Sequence, residues 1–208
     1  HNVLPSVDII DYLMEKDLFD EVELGGLCCT AHDMSRYNNR SKIVGPISWQ
    51  LKFIKAGIPD LIVVDEQCIR TDVMVQAAAI GVPVIAASEK SCLGLPDRTH
   101  DDVDKVIDDR VSGNEPGALI NEPRKVGEIA VKVAMGVRKK RGDRKKIEIG
   151  ELSGLAASCR ECLECVRACP NNLPIMKAMI DAKGGEYSAL AELNELCVGC
   201  GRCESACP

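Results

Sequence analysis

The sequence predicts an α/β domain with a mostly parallel sheet, followed by a small cysteine-rich domain. Three observations carry this expectation. Short apolar runs alternate with segments of helical spacing through residues 1 to 137. A basic run, Arg138 to Lys146, then breaks the pattern. Beyond it, eight of the twelve cysteines fall between Cys159 and Cys207.

The elements follow in order. Val7 to Phe19 places Val7, Ile10, Leu13, Met14 and Leu18 on one helical face. Val22 to Leu27 reads as a strand running into a Gly25-Gly26 turn, and Lys42 to Val44 as a second strand. Ser48 to Ala56 is a helix ended by Gly57. Leu61 to Val64 is a continuous apolar run, the pattern of a buried parallel strand. Thr71 to Ile80 is helical, with Thr71 or Asp72 placed to cap it. Pro83 to Ala87 is another buried strand. Helices at Asp101 to Asp109 and Glu122 to Val137 flank a Gly- and Pro-containing loop, Ser112 to Gly117. Strand and helix in turn give a three-layer, Rossmann-like domain over 1–137. No complete G-x-G-x-x-G follows a strand, so a nucleotide site is not supported. Residues 138–150 read as a basic linker, and 151–208 as the second domain, with helical stretches at Leu173 to Ala182 and Ser188 to Leu196.

Composition narrows the function classes. The 208 residues, 46% hydrophobic and 28% charged, suffice for one ordinary core plus a small one. A net charge of −6 argues against a protein that coats nucleic acid, and 3% aromatics argue against base stacking. The longest near-apolar stretch, Val73 to Ala87, is interrupted by Gln76, Gly81 and Pro83 and is too short for a membrane span. No signal peptide opens the chain, and a cytoplasmic location with reduced thiols is expected. The chain starts at His1, not Met, and stops at Cys207-Pro208, the last two residues of a motif, so it is expected to be a fragment.

The cysteine-rich segment is an internal repeat. Cys159-x2-Cys162-x2-Cys165-x3-Cys169-Pro170 is matched by Cys197-x2-Cys200-x2-Cys203-x3-Cys207-Pro208. Each copy fits the bacterial ferredoxin run, in which three closely spaced thiolates wrap one cubane and the fourth ligates the other cluster. One [4Fe-4S] cluster would therefore take Cys159, Cys162, Cys165 and Cys207. The second would take Cys197, Cys200, Cys203 and Cys169. Zinc fits poorly, because structural zinc uses two separated C-x2-C pairs. So small a domain needs metal to fold.

Four cysteines remain. Cys29 and Cys68 are placed near the carboxyl ends of strands, where open α/β sheets gather ligands. Thiolates with the imidazole of His1 would suit iron, nickel or zinc, while buried packing is the plain alternative for Cys28 and Cys68. Cys92 reads as core or loop filler, and His32 and His100 as surface residues. The basic run reads as a solvated helix end, with an acidic-partner docking patch as the alternative.

Three stretches carry a family likeness: His1-Asn2, Leu24 to Ala31 (LGGLCCTA) and Val63 to Ile69 (VVDEQCI). They resemble the nickel-containing anaerobic carbon monoxide dehydrogenases. The double cysteine run and Gly94 to Thr99 (GLPDRT) are similar to the branch formed by the α subunits of archaeal acetyl-CoA decarbonylase/synthase complexes, found in methanogenesis. The resemblance implies a [Ni-4Fe-4S] centre, with His1 and Cys29 on its pendant iron, Cys68 on the cubane and Cys28 in support. It implies reversible oxidation of CO with water to CO2, electrons passing through the two [4Fe-4S] clusters to a ferredoxin-like acceptor. It also implies a homodimer of the full subunit and partner subunits of the complex. The remaining cubane ligands, the nickel-bridging cysteine and the acid/base lysine would lie beyond residue 208, and a proton-relay histidine before residue 1. The catalytic acid/base residues are thus outside the chain, which alone is expected to be inactive. Two alternatives stay open: an electron-transfer module fused to a non-catalytic docking domain, and a different metalloenzyme with zinc or iron at Cys29 and Cys68.

Overall fold

A computed structural model describes residues 3–66, 69–142 and 148–208. The chain divides into two units, His1–Gly142 and Asp143–Pro208.

In the first unit, α1 (Leu4–Glu15) starts with Pro at its first turn, where the missing N–H costs nothing. Next come β1 (Gly25–Leu27), α2 (Cys28–Tyr37) and β2 (Lys42–Gly45). A 3-10 turn, Ile47–Trp49, leads into α3 (Gln50–Lys55), and then β3 (Ile62–Val64), α4 (Val73–Ala79) and β4 (Val84–Ala86). The unit closes with α5 (Val103–Ser112), β5 (Gly117–Leu119) and α6 (Pro123–Arg141). Asp102 caps α5 by accepting from the Lys105 N–H at 3.1 Å.

Among the described residues the strand pairs are parallel, as expected, but they form two sheets: β1-β2 and β3-β4-β5. The three-stranded sheet is covered on both faces, and the two-residue period of the strands sorts the core. Ile85, Ala87, Ala118 and Ile120 face α1 and α6, packing with Leu13, Val126, Ile129 and Val133. Val84, Ala86 and Leu119 face the other way, with Ala77 of α4 and Leu95. Cys92 is half-buried against this second cluster.

The GLPDRT stretch extends this sheet. Arg98 donates its N–H to Leu119 O at 3.0 Å, and Leu119 donates to Pro96 O at 2.8 Å. The Arg98 side chain, 10% exposed, lies among Asp101, Asp109 and Glu115. Fully buried Arg110 shares Glu115 and also donates to Gly117 O. These ionic contacts hold Asp109 below its ordinary pKa, chiefly through the hydrogen bond from Arg98.

Several expectations shift. Gly25 and Gly26 belong to β1 itself and do not form a turn, and Cys28 opens a helix that periodicity missed. Gly117, placed at the end of a loop, begins β5. Asp72 sits at the N-cap of α4, but its carboxylate accepts from the Arg70 guanidinium at 3.0 Å and makes no capping hydrogen bond to the helix backbone. The expected linker at 138–150 starts inside a helix, because Arg138 to Arg141 form the last turn of α6. Two of these cations satisfy carbonyls of neighbouring segments. Lys140 reaches Ser112 O at 2.6 Å, and Arg141 reaches Pro59 O at 2.7 Å and Gly57 O at 3.2 Å. Residues 143–147 lie outside the described residues.

In the second unit a 3-10 turn, Ile149–Glu151, precedes α7 (Leu152–Ala156) and α8 (Glu164–Ala168). Then come α9 (Ile175–Lys183), α10 (Ser188–Leu196) and α11 (Arg202–Ser205). Ala178 and Ala182 of α9, Ala156 of α7 and Leu173 are its buried apolar residues, which is little core for a domain of this size.

Candidate iron–sulfur sites

The two cysteine runs repeat in backbone conformation as well as in spacing. Glu161 (φ 58°) and Leu163 (φ 67°) stand in the left-handed region, and so do Gly199 (φ 67°) and Gly201 (φ 76°) at the matching places. Each run therefore turns back on itself twice before its short helix, α8 or α11. Glycine adopts such angles freely, whereas Glu161 and Leu163 each carry about 1 kcal/mol of strain. The first loop is tied down by Lys183, which donates to Cys159 O at 2.5 Å and pairs with Glu161 at 3.0 Å.

The turns gather sulfur. Burial is the largest influence raising the thiol pKa of Cys165, and the nearby thiols of Cys159 and Cys162 push it the same way. Cys203 is raised likewise by burial, then by Cys197 and Cys200. Such thiols keep their protons until a metal displaces them.

One cavity bears on the crossed arrangement. Cys169, from the first run, lines it together with Cys197, Cys200 and Cys203 from the second. Leu173, Ile175 and Val198 make the rest of its wall largely apolar. Two backbone donors point at its sulfurs: Gly199 N–H to Cys197 Sγ at 3.3 Å, and Leu173 N–H to Cys169 Sγ at 3.4 Å. Amide donors of this kind stabilise thiolates and tune cluster potential. The donor set suits a [4Fe-4S] group: four sulfurs, an apolar wall and amide hydrogen bonds. Cys207, expected to complete the other cluster, is exposed.

Among the described residues, no three His, Cys, Asp or Glu side chains converge on a single metal ion. Thiolates that bind the separate corners of a cubane stand farther apart than the ligands of one ion, so the gathered sulfurs still fit a cluster.

The other candidate centre lies at the start of α2. Gly26 lets β1 approach this helix: a Cβ there would meet Ala31 Cα at 2.8 Å and Met34 Sδ at 3.0 Å. Cys28 follows in the left-handed region (φ 56°), a strained conformation for a side-chain-bearing residue. Its thiol donates to Cys29 Sγ at 3.8 Å. Cys29 is exposed and lines a solvent-facing hollow with His32, Asp33 and Arg36. The i, i+3, i+4, i+7 spacing of these four on one helix could have found this face in the sequence. His1 and Cys68 lie outside the described residues.

The segments that flank residues 67–68 are held by residues that sequence reasoning did not single out. Thr30, on α2, donates to Asp65 Oδ2 at 3.3 Å. Lys90 pairs with Glu66 at 3.6 Å, and the Arg70 N–H donates to Gln50 Oε1 at 3.1 Å. No local signal foretells such bonds, because their partners stand 20 or more positions apart.

An α/β unit with thiols just after a strand, together with a second unit that carries two repeated four-cysteine runs, defines an iron–sulfur protein. Comparison with known proteins then fixes the family. The chain belongs to the Prismane/CO dehydrogenase family, whose model matches residues 1–173, and a 4Fe-4S dicluster domain model matches residues 158–208. It is 51% identical over 194 residues to the acetyl-CoA decarbonylase/synthase complex subunit alpha of Methanothermobacter thermautotrophicus, covering 93% of this chain and 25% of that protein. It is 45% identical over 200 residues to subunit alpha 1 of Archaeoglobus fulgidus, covering 94% of this chain and 25% of the relative. With subunit alpha 1 of Methanosarcina mazei the identity is 43%, covering all of this chain and 27% of the relative. The chain thus spans about a quarter of the length of these relatives.

Proposed function

We propose that the chain is the part of a carbon monoxide dehydrogenase subunit that combines ligands to a [Ni-4Fe-4S] centre with an electron outlet of two [4Fe-4S] clusters. When bound, the nickel-containing group supplies the reversible oxidation of CO with water to CO2. His1, Cys29 and Cys68 would hold that group, with Cys28 in support. Cys159, Cys162, Cys165 and Cys207 hold one outlet cluster; Cys197, Cys200, Cys203 and Cys169 hold the other.

The observation that carries the electron outlet is the shared cavity of Cys169 with Cys197, Cys200 and Cys203. Crossed ligation ties both clusters into one unit, so that an electron entering one can leave by the other. The amide donors to Cys169 and Cys197 favour the reduced cluster they face. Support for the nickel centre comes from family membership and from exposed Cys29 in the first turn of α2, just after β1. The relatives are named as alpha subunits of acetyl-CoA decarbonylase/synthase complexes, which supports the other subunits of such a complex as partners. A ferredoxin-like acceptor, a homodimer and a cytoplasmic location belong to the same proposal. Among the described residues, no helix is long and apolar enough to cross a membrane.

The test uses both the chain and the full-length subunit. These 208 residues alone are expected to take up iron but to show no CO-dependent dye reduction. In the full-length subunit, Cys29→Ala and Cys68→Ala are each expected to abolish the nickel centre and CO oxidation while sparing the other two clusters. Parental nickel content in both variants would contradict the proposal.

A further inference from the structure

We propose that Thr30 and Asp65 form a positioning pair, which sets the Cys29-bearing start of α2 against the carboxyl end of β3 before metal arrives. The inference rests on the metal roles proposed for Cys29 and Cys68. Thr30 follows Cys29 directly, and Asp65 follows β3 and precedes Cys68 by three positions. Their part-buried hydrogen bond, Thr30 Oγ1 to Asp65 Oδ2 at 3.3 Å, joins segments 35 residues apart. It also links the segments that follow strands of two different sheets, α2 after β1 and Asp65 after β3.

The Asp65 side of this bond is a rigid frame. Val64 O accepts from Ala87 N–H at 2.8 Å and from the fully buried Ser91 hydroxyl at 3.4 Å. Lys90 holds Glu66, and Gln50 holds the Arg70 amide further along. The Cys29 side is less enclosed: Cys29 is exposed, and Cys28 before it carries backbone strain. Thr30 ties this exposed sulfur-bearing turn to the frame. A hydroxyl bonded to a carboxylate is directional, and even at 3.3 Å, long for such a pair, it limits how far the two segments can part. Ligands held in place before binding give up less freedom when metal enters, and partners behind the ligands typically contribute 10- to 100-fold in metal affinity.

The experiment uses the full-length subunit in its complex, with Thr30→Val, Thr30→Ser, Asp65→Asn and Cys29→Ala compared. Nickel binding is titrated into nickel-depleted protein, and the electron paramagnetic resonance signal of the nickel centre is recorded. Thr30→Val and Asp65→Asn are expected to keep the parent's circular dichroism spectrum and the iron of the other two clusters. They should bind nickel at least about tenfold more weakly, with an altered resonance signal. Thr30→Ser, which retains the hydroxyl, should restore both. If Cys29→Ala loses nickel while Thr30→Val binds it like the parent, the positioning pair is overturned and the metal assignment stands. If Cys29→Ala binds nickel like the parent, the metal assignment fails and takes this inference with it. If Thr30→Val and Asp65→Asn both unfold, the bond serves fold stability and the inference is overturned.

Discussion

Leu163 is a side chain in a glycine's place. Its φ of 67° matches Gly201 in the second run, and the side chain is 41% exposed, so it returns little burial for the strain. Leu163→Gly is expected to stabilise the second unit by about 1 kcal/mol, read from chemical denaturation of the cluster-loaded protein. Gly201→Leu should cost a similar amount. Arg98 is the opposite case, a charge held by three carboxylates. Arg98→Met should destabilise the first unit by about 2 kcal/mol, because it leaves those carboxylates facing one another. The pH dependence has a definite sign. Asp109 titrates below its ordinary value of 3.8 in the fold, so its contribution is present above that value and is lost as pH falls through the lower, folded one. Arg98→Met removes that contribution, and acid unfolding should begin at a higher pH than in the parent.

At the scale of elements, the legible parts were those with a local signal. Leu61 to Val64 and Pro83 to Ala87 are apolar runs, and β3 and β4 lie within them. Ser188 to Leu196 alternates at helical spacing and is α10 end to end. β5 was missed because Gly-Ala-Leu has no run of its own. Its identity as a strand comes from pairing with β4, at Val84 with Gly117 and Ala86 with Leu119. α2 was missed because it buries only Ala31 and Met34, which leaves no wide apolar stripe. The basic run was read as a solvated helix end, and Arg138 to Lys140 are exposed in the last turn of α6; Lys140 and Arg141 also satisfy carbonyls of distant segments, a long-range pairing that charge counting does not show. Gly26 matters through the same kind of tertiary contact. Gly26→Ala should push α2 away from β1 and cost about 2 kcal/mol in thermal unfolding, since the added Cβ meets helix backbone.

At the scale of the whole chain, the dicluster domain was the most legible feature, since the spacing of the two cysteine runs signals it and the matching domain model covers residues 158–208; the crossed role of Cys169 is a proposal that the spacing suggests. The proposed nickel centre has a weaker basis in the sequence, because its candidate ligands come from separate segments and only a likeness to a family joins them. Thr30 and Asp65 stand in the two stretches that carry the family likeness, but no sequence signal pairs them across 35 positions. With little apolar burial, the second unit depends on its clusters for stability. Iron chelation should therefore unfold residues 151 to 208 while the first unit, with its two-faced sheet, keeps its structure in hydrogen exchange.

The crossed ligation is tested most directly by counting iron and acid-labile sulfide in the anaerobically reconstituted chain and in its Cys169→Ser variant. The parent is expected to hold about eight irons, and the variant about four with the cluster of the first run intact. Loss of the first-run cluster instead, or parental iron with both clusters unchanged, would contradict it.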